Sequence, residues 1–193
     1  MLVEGKIDEI VAKRLLNHIG LEAGNVYGRR GKAHLLERLP NYNEAAKFTP
    51  WFVIVDLDMD TKCASQALEL WLPNIAKGMR FRIAVRAIEA WLMADKENIA
   101  RFLAVATSKI QLRTDLDLNP KETLVNIART SRNTSVREDI VPRQDSGSKV
   151  GPLYVARLTE FTEKHWRPDE AADHSESLRR CISALSTLTS WET

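Results

Sequence analysis

The sequence has little that would tie it to an oxidising compartment or to a membrane. Its 193 residues include two cysteines, Cys63 and Cys181. Two cysteines are too few for a disulfide framework, and their spacing matches no metal-binding pattern. Both fall in apolar helical patterns, which predicts two core thiols. No apolar run approaches the roughly 18–20 residues that a membrane-spanning helix needs, so no membrane partner is expected. The opening residues, Met1-Leu2-Val3-Glu4-Gly5, lack a basic segment ahead of a long apolar one, and no signal peptide is expected. Net charge is only +2, so bulk charge does not argue for nucleic acid and leaves that question to local clusters. There is no internal repeat and no low-complexity segment. A cytoplasmic protein is the expectation.

What the sequence does have is alternation. Val3-Glu4-Gly5 ends a short strand. Ile7, Ile10, Val11, Leu15, Leu16 and Ile19 then share one face of a helix that stops at Gly20. Residues 25–32 give a second short strand leaving through two glycines. Residues 32–46 read as a helix interrupted at Pro40. Residues 51–55 are continuously apolar, as a strand buried on both faces of a parallel sheet requires. Ala64, Ala67, Leu68, Trp71, Leu72 and Ile75 form the next helical stripe, and residues 80–86 alternate as a further strand. Strand and helix in turn predict an α/β fold, a parallel sheet of about four strands flanked by helices. Helices follow from Ala87 and from Asp95, the latter as an N-cap. Asn119-Pro120-Lys121-Glu122 is a near-complete helix start. Residues 129–151 are rich in arginine and predict a long basic loop, and two helices close the chain near 152–164 and 175–189. The expected organisation is an α/β core over residues 1–110. A helical extension over 111–193, carrying the basic loop 129–151, packs on the same domain.

Acids stand where such a sheet collects ligands, beyond the carboxyl ends of its strands. Glu4 follows the first strand, Asp56, Asp58 and Asp60 the third, and Glu89 lies just past the fourth. If those strands are neighbours, several carboxylates converge. Like charges raise one another's pKa, and a hard divalent cation with oxygen ligands, Mg²⁺ or Mn²⁺, resolves the conflict. Each acid also has an ordinary reading: Asp-x-Asp as a turn and helix cap, Glu89 as a solvated helical residue. An EF-hand is excluded, because Thr61 and Ala67 stand where that loop needs glycine and glutamate. Asp60 is assigned to capping the helix that begins near Lys62.

The pieces Val3–Leu16, Val55–Leu68, Arg82–Asp95 and Val150–Cys181 together resemble the TOPRIM domain of topoisomerases, bacterial primases and OLD-type nucleases. More narrowly they resemble a bacterial TOPRIM-like family of unknown function. They are spread from end to end of the chain. The Glu-Ala-Trp-Leu-Met-Ala-Asp segment and the C-terminal block are the specific parts, whereas Glu-Gly and Asp-x-Asp are not. The resemblance implies a TOPRIM-like fold and metal-dependent phosphoryl transfer on nucleic acid. It carries the glutamate to Glu4 and the aspartate pair to Asp56 and Asp58, with Glu89 as a further ligand. It also implies a partner ATPase in anti-phage defence, since relatives of this kind are often encoded with one.

Three basic features remain. Arg29, Arg30 and Lys32 cluster on a glycine-bounded turn and could contact phosphate, or serve as solvated surface. Lys149 could offset charge that develops in phosphoryl transfer, or be an ordinary exposed lysine. The four histidines lack paired spacing and receive no catalytic role. The five tryptophans, Trp191 included, fall mostly in apolar stripes and read as core. The chemistry expected is that of an Mg²⁺-dependent nuclease-like protein with Glu4, Asp56, Asp58, Glu89 and Lys149 at its centre. A non-catalytic subunit that binds a partner protein or nucleic acid, and a small-molecule phosphatase, are the competing readings.

Overall fold

The computed structural model describes residues 1–189. The chain runs β1 (Leu2–Val3), α1 (Lys6–His18), β2 (Tyr27–Gly28), α2 (Lys32–Ala45), β3 (Trp51–Asp56), α3 (Ala64–Trp71) and β4 (Met79–Ala84). All strand pairs are parallel, in the order β2-β1-β3-β4. Helices α4 (Ile88–Ala94), α5 (Lys96–Phe102), α6 (Pro120–Arg129), α7 (Thr134–Ile140), α8 (Tyr154–Lys164), α9 (Pro168–Ala172) and α10 (Glu176–Ser186) follow. This is a Rossmann-like α/β architecture, a four-stranded parallel sheet flanked by helices.

The unbroken apolar run of β3 is explained by two cores. Phe52 and Ile54 face one core, shared with α1, α4 and the C-terminal helices, while Val53 and Val55 face the other, shared with α2 and α3. A strand covered on both faces has no solvent side on which to place polar residues. The larger core holds the fully buried Trp91, Trp166, Tyr154 and Phe161. Helix α8 packs on α1 and α10 on β4, so the C-terminal helices close one face of the sheet. Buried Asp95 accepts hydrogen bonds from the Arg167 backbone N–H at 2.9 Å and its guanidinium at 2.6 Å, joining the start of α5 to the residue before α9. No helix among the described residues is long and apolar enough to cross a membrane.

The structure corrects several expectations. Residues 129–151 are not one long loop. Thr134–Ile140 folds as α7, started by the Asn133 side chain accepting the Ser135 N–H at 2.9 Å. Val136 and Ile140 give this helix its buried side. Five polar residues around them mask the short apolar period. Pro40 does not break α2, because it lies on the exposed side, where solvent can meet the carbonyl that proline leaves without a donor. Helix α3 ends at Trp71, and Ile75 lies beyond it, exposed. Cys63 is exposed at the start of α3, not in the core; Cys181 is buried. Asp95 precedes α5 without capping it, since its carboxylate is engaged by Arg167 and Asn98. Trp51 and Trp71 are half-buried, and Trp191 lies outside the described residues.

The loop that leaves α7 is closed at its base. The Gly151 N–H donates to the Ile140 carbonyl at 2.8 Å and the Leu153 N–H to the Asp139 carbonyl at 2.9 Å. A Cβ on Gly151 would sit 2.4 Å from the Asp139 carbonyl oxygen, a clash with backbone that no rotamer relieves. Gly151→Ala is therefore expected to cost about 2 kcal/mol and to lower Tm by roughly 5 °C. Thermal unfolding followed by circular dichroism measures this, and an unchanged Tm would contradict the close approach.

Candidate functional site

Parallel pairing decides which acids meet. Strands β1, β3 and β4 are adjacent and point the same way, so the residues that leave their carboxyl ends share one edge. Glu4, just past β1, accepts the Asp56 backbone N–H on Oε1 at 2.9 Å. Asp56, the last residue of β3, accepts the Ile88 N–H on Oδ1 at 2.8 Å, which ties the strand to the first turn of α4. Glu89, next along α4, is only 3% exposed, and its Oε1 accepts the Tyr154 hydroxyl at 2.8 Å.

Asp58 sits in a loop with a left-handed backbone (φ 48°), a conformation aspartate tolerates better than most residues. Its N–H donates to the Arg86 carbonyl at 2.7 Å. The Arg86 guanidinium returns to the Asp58, Thr61 and Lys62 carbonyls at 3.0, 2.8 and 3.2 Å. Arg86 thus fixes the loop beside the residues that lead into α4.

Glu4, Asp56, Asp58 and Glu89 line one cavity of about 710 Å³. Lys149, carried by the loop closed at Gly151, lines it too, as do Lys121, Asn126 and Arg129 of α6. Of the basic cluster near β2, none lines this cavity. Arg29 pairs with Glu9 at 2.7 Å, and Arg30 is exposed. Lys32 binds both Asp58 and Asp60, the latter at 2.8 Å. Its ammonium also lies 5.7 Å from the centre of the Trp71 ring. Asp60 is therefore an ion-pair partner and not a helix cap; α3 begins at Ala64, several residues later.

Reading the sequence missed Asp8, Lys121 and Arg129. Asp8 occupies the first turn of α1, where an acid suits the helix dipole and attracts no notice. It is buried, and its Oδ1 has no hydrogen-bond partner. Lys121 reads as an ordinary helix-surface residue, and Arg129, the first arginine of the expected basic loop, instead ends α6; both line the cavity. The one usable signal for Asp8 is its position a single turn after Glu4.

Burial and mutual repulsion shape the acids. Burial pushes the Glu4 carboxyl up to about 7, helped by the charges of Asp8 and Asp58, against the pull of the Asp56 N–H and of Lys32. Burial, then the charge of Glu89, raises Asp8 to about 6, while backbone N–H groups of Asp8 and Gly5 and the charge of Lys121 oppose it. Asp56 is raised well above the usual range, by burial first and then by Asp8, Glu89, Glu4 and Asp58. Burial beside Glu89 drives the Tyr154 hydroxyl upward as well, so it remains a donor.

The donor set is all oxygen, which suits Mg²⁺ or Mn²⁺. Glu4, Asp56 and Glu89 each commit one oxygen to a bond within the protein, and buried Asp8 has an Oδ1 with no hydrogen-bond partner. Yet among the described residues no three His, Cys, Asp or Glu side chains already stand as a metal-holding group. The chemistry fits a divalent ion, and binding one requires the carboxylates to draw together and shed protons. No protein-family model matches the chain, and neither does any curated protein or solved structure.

Two outcomes follow from these charges. Glu4 and Asp8 hold protons more tightly in the folded than in the unfolded chain. Their contribution to stability is thus fully present below their ordinary values of 4.5 and 3.8 and is lost as pH rises through about 6 to 7. In a metal chelator, the Tm of the wild type should fall relative to that of Glu4→Gln by about 5 °C between about pH 4.5 and pH 8; the same pH dependence in both proteins contradicts the burial of Glu4. Lys32 competes with any cation for Asp58. Lys32→Met should therefore strengthen Mn²⁺ binding by about threefold to fivefold, the strength of one such ion pair, read from the Mn²⁺ dependence of Tm, and equal Mn²⁺ dependence in both proteins would refute the competition.

Proposed function

We propose that this chain is a divalent-cation-dependent nuclease-like protein that acts on phosphodiester bonds of nucleic acid. The observation that carries the proposal is the convergence of Glu4, Asp56, Asp58 and Glu89 on one cavity that Lys149 also lines. The resemblance of the sequence to TOPRIM proteins points the same way and adds a TOPRIM-like character to the fold. A cytoplasmic setting and a partner ATPase in phage defence belong to the same proposal.

Glu4, Asp56, Asp58 and Glu89 would hold Mg²⁺ or Mn²⁺, with Asp8 behind them as a reserve of negative charge. The ion would supply a Lewis acid that draws charge from the phosphoryl oxygens. The protein supplies position. The Asp56 N–H orients Glu4, the Ile88 N–H orients Asp56, and the Tyr154 hydroxyl orients Glu89. Arg86 holds the Asp58 loop in place. Lys149 brings a cation to a phosphate that enters the cavity, where charge builds in the transition state.

A second reading, a non-catalytic subunit that binds a partner protein or nucleic acid, is favoured by one observation. Lys32 already neutralises Asp58 and Asp60 without any metal. Asp56→Asn and Asp58→Asn separate the two. On the nuclease reading each lowers Mg²⁺- or Mn²⁺-dependent cleavage of nucleic acid by about 10²-fold or more, the size of losing several kcal/mol of charge stabilisation. Circular dichroism should show the fold unchanged, since asparagine keeps the size and the acceptor oxygen of aspartate. Cleavage equal to wild type in both variants sinks the proposal, and absence of cleavage by the wild type favours the binding subunit.

A further inference from the structure

We infer that the site takes a single-stranded stretch of nucleic acid, laid along α6, in preference to an intact duplex. The inference rests on the proposed phosphodiesterase reading and names its substrate class.

The first observation is a row of cations that no carboxylate of the described residues contacts directly. Lys121, Val125 and Arg129 follow one another at four-residue intervals on the face of α6 that lines the cavity, with Asn126 beside them. Lys121 and Arg129 are about 12 Å apart along the helix axis. Together with Lys149, which lines the same cavity, they make no ion pair with any carboxylate among the described residues. The Lys121 ammonium lies over the Tyr154 ring, 5.6 Å from its centre, and its charge acts on buried Asp8 without a direct contact. Elsewhere the cations near carboxylates are paired: Arg29 with Glu9, Lys32 with Asp58, Arg157 with Asp139, Arg167 with Asp95. At the cavity the opposite charges face one another across open space. A chain of phosphates fills that space with the correct signs, one phosphate toward the acids and their cation, its neighbours toward α6.

The second observation is shape. Glu89 is buried and Glu4 and Asp56 are half-buried, so the reacting phosphate must come in to them. Residues of α6 and of the Asp58 loop line the cavity, and its volume of about 710 Å³ is in the range of sites that hold a single small ligand. A duplex carries its phosphates on a stacked, paired body that cannot enter with them. One strand can, because its backbone bends freely.

The third observation concerns bases. Met59 and Leu118 line the cavity and are 65% and 54% exposed. An unpaired base offers an apolar face to such side chains, and thioethers adapt well to flat rings. A cationic track with neighbouring apolar surface is how proteins hold single strands without reading sequence.

The test is fluorescence anisotropy with the full chain in Ca²⁺, using one labelled oligonucleotide sequence as single-stranded DNA, as single-stranded RNA and as DNA duplex. At least one single strand should bind ten times more tightly than the duplex, and the DNA and RNA arms show which sugar is accepted. The double variant Lys121→Ala/Arg129→Ala should weaken that binding tenfold or more. It should also lower the slope of log K against log salt by about 0.7 for each phosphate that the variant no longer neutralises. Both residues are exposed, so the fold is retained. Equal or tighter duplex binding, or an unchanged double variant, overturns the inference and leaves the nuclease reading standing on its own cleavage assay. If the wild type binds none of the three probes, both fall.

Discussion

Burying like charges at the carboxyl edge of a parallel sheet is the constraint on which this molecule turns. A fully covered strand, β3, delivers Asp56 into a site already bordered by Glu4 and Glu89. Burial there weakens the screening of Glu4, Asp56 and Glu89 by water. The protein answers in three ways. Backbone N–H groups take one oxygen each of Glu4 and Asp56, and the Tyr154 hydroxyl takes one of Glu89. Lys32 draws Asp58 and Asp60 outward. Protons stay on the acids at pH values where free carboxyls have lost them. Each device is one that a divalent cation could replace.

The rest of the fold serves that edge. Arg86 ties the Asp58 loop to the residues ahead of α4, and Tyr154 reaches Glu89 from α8, far along the chain. The C-terminal helices are thus more than cover for one face of the sheet: they supply a partner for a buried acid and, through α6, the cationic wall opposite it. The Gly151 closure sets where Lys149 stands. Site and extension are one structure, built from both ends of the sequence.

How much of this could be read from residues alone depended on range. The apolar run 51–55 announced a strand covered on both faces, and the alternation around it announced a parallel α/β sheet, because burial on two faces leaves no other pattern. Strand adjacency brings Glu4 beside Asp56, a consequence of the order β2-β1-β3-β4 that no local pattern encodes. Asp8 was invisible because a first-turn acid is common, and only packing reveals that its Oδ1 is orphaned. Asp60 looked like a cap because it precedes a helix; the long-range partner Lys32 won it instead. Helix α7 was hidden because two apolar residues are too few to show a period. Cys63 followed a helical stripe in sequence and yet falls just outside the helix, in solvent.

The central claim is that the acid cluster is a divalent-cation site held in reserve by protons. Calorimetric titration of Mn²⁺ near pH 6.5, repeated in buffers of different ionisation enthalpy, tests it most directly. The account predicts saturable binding accompanied by release of protons to the buffer, with both lost in Asp56→Asn. Binding without proton release, or no saturable binding at millimolar Mn²⁺, would contradict it.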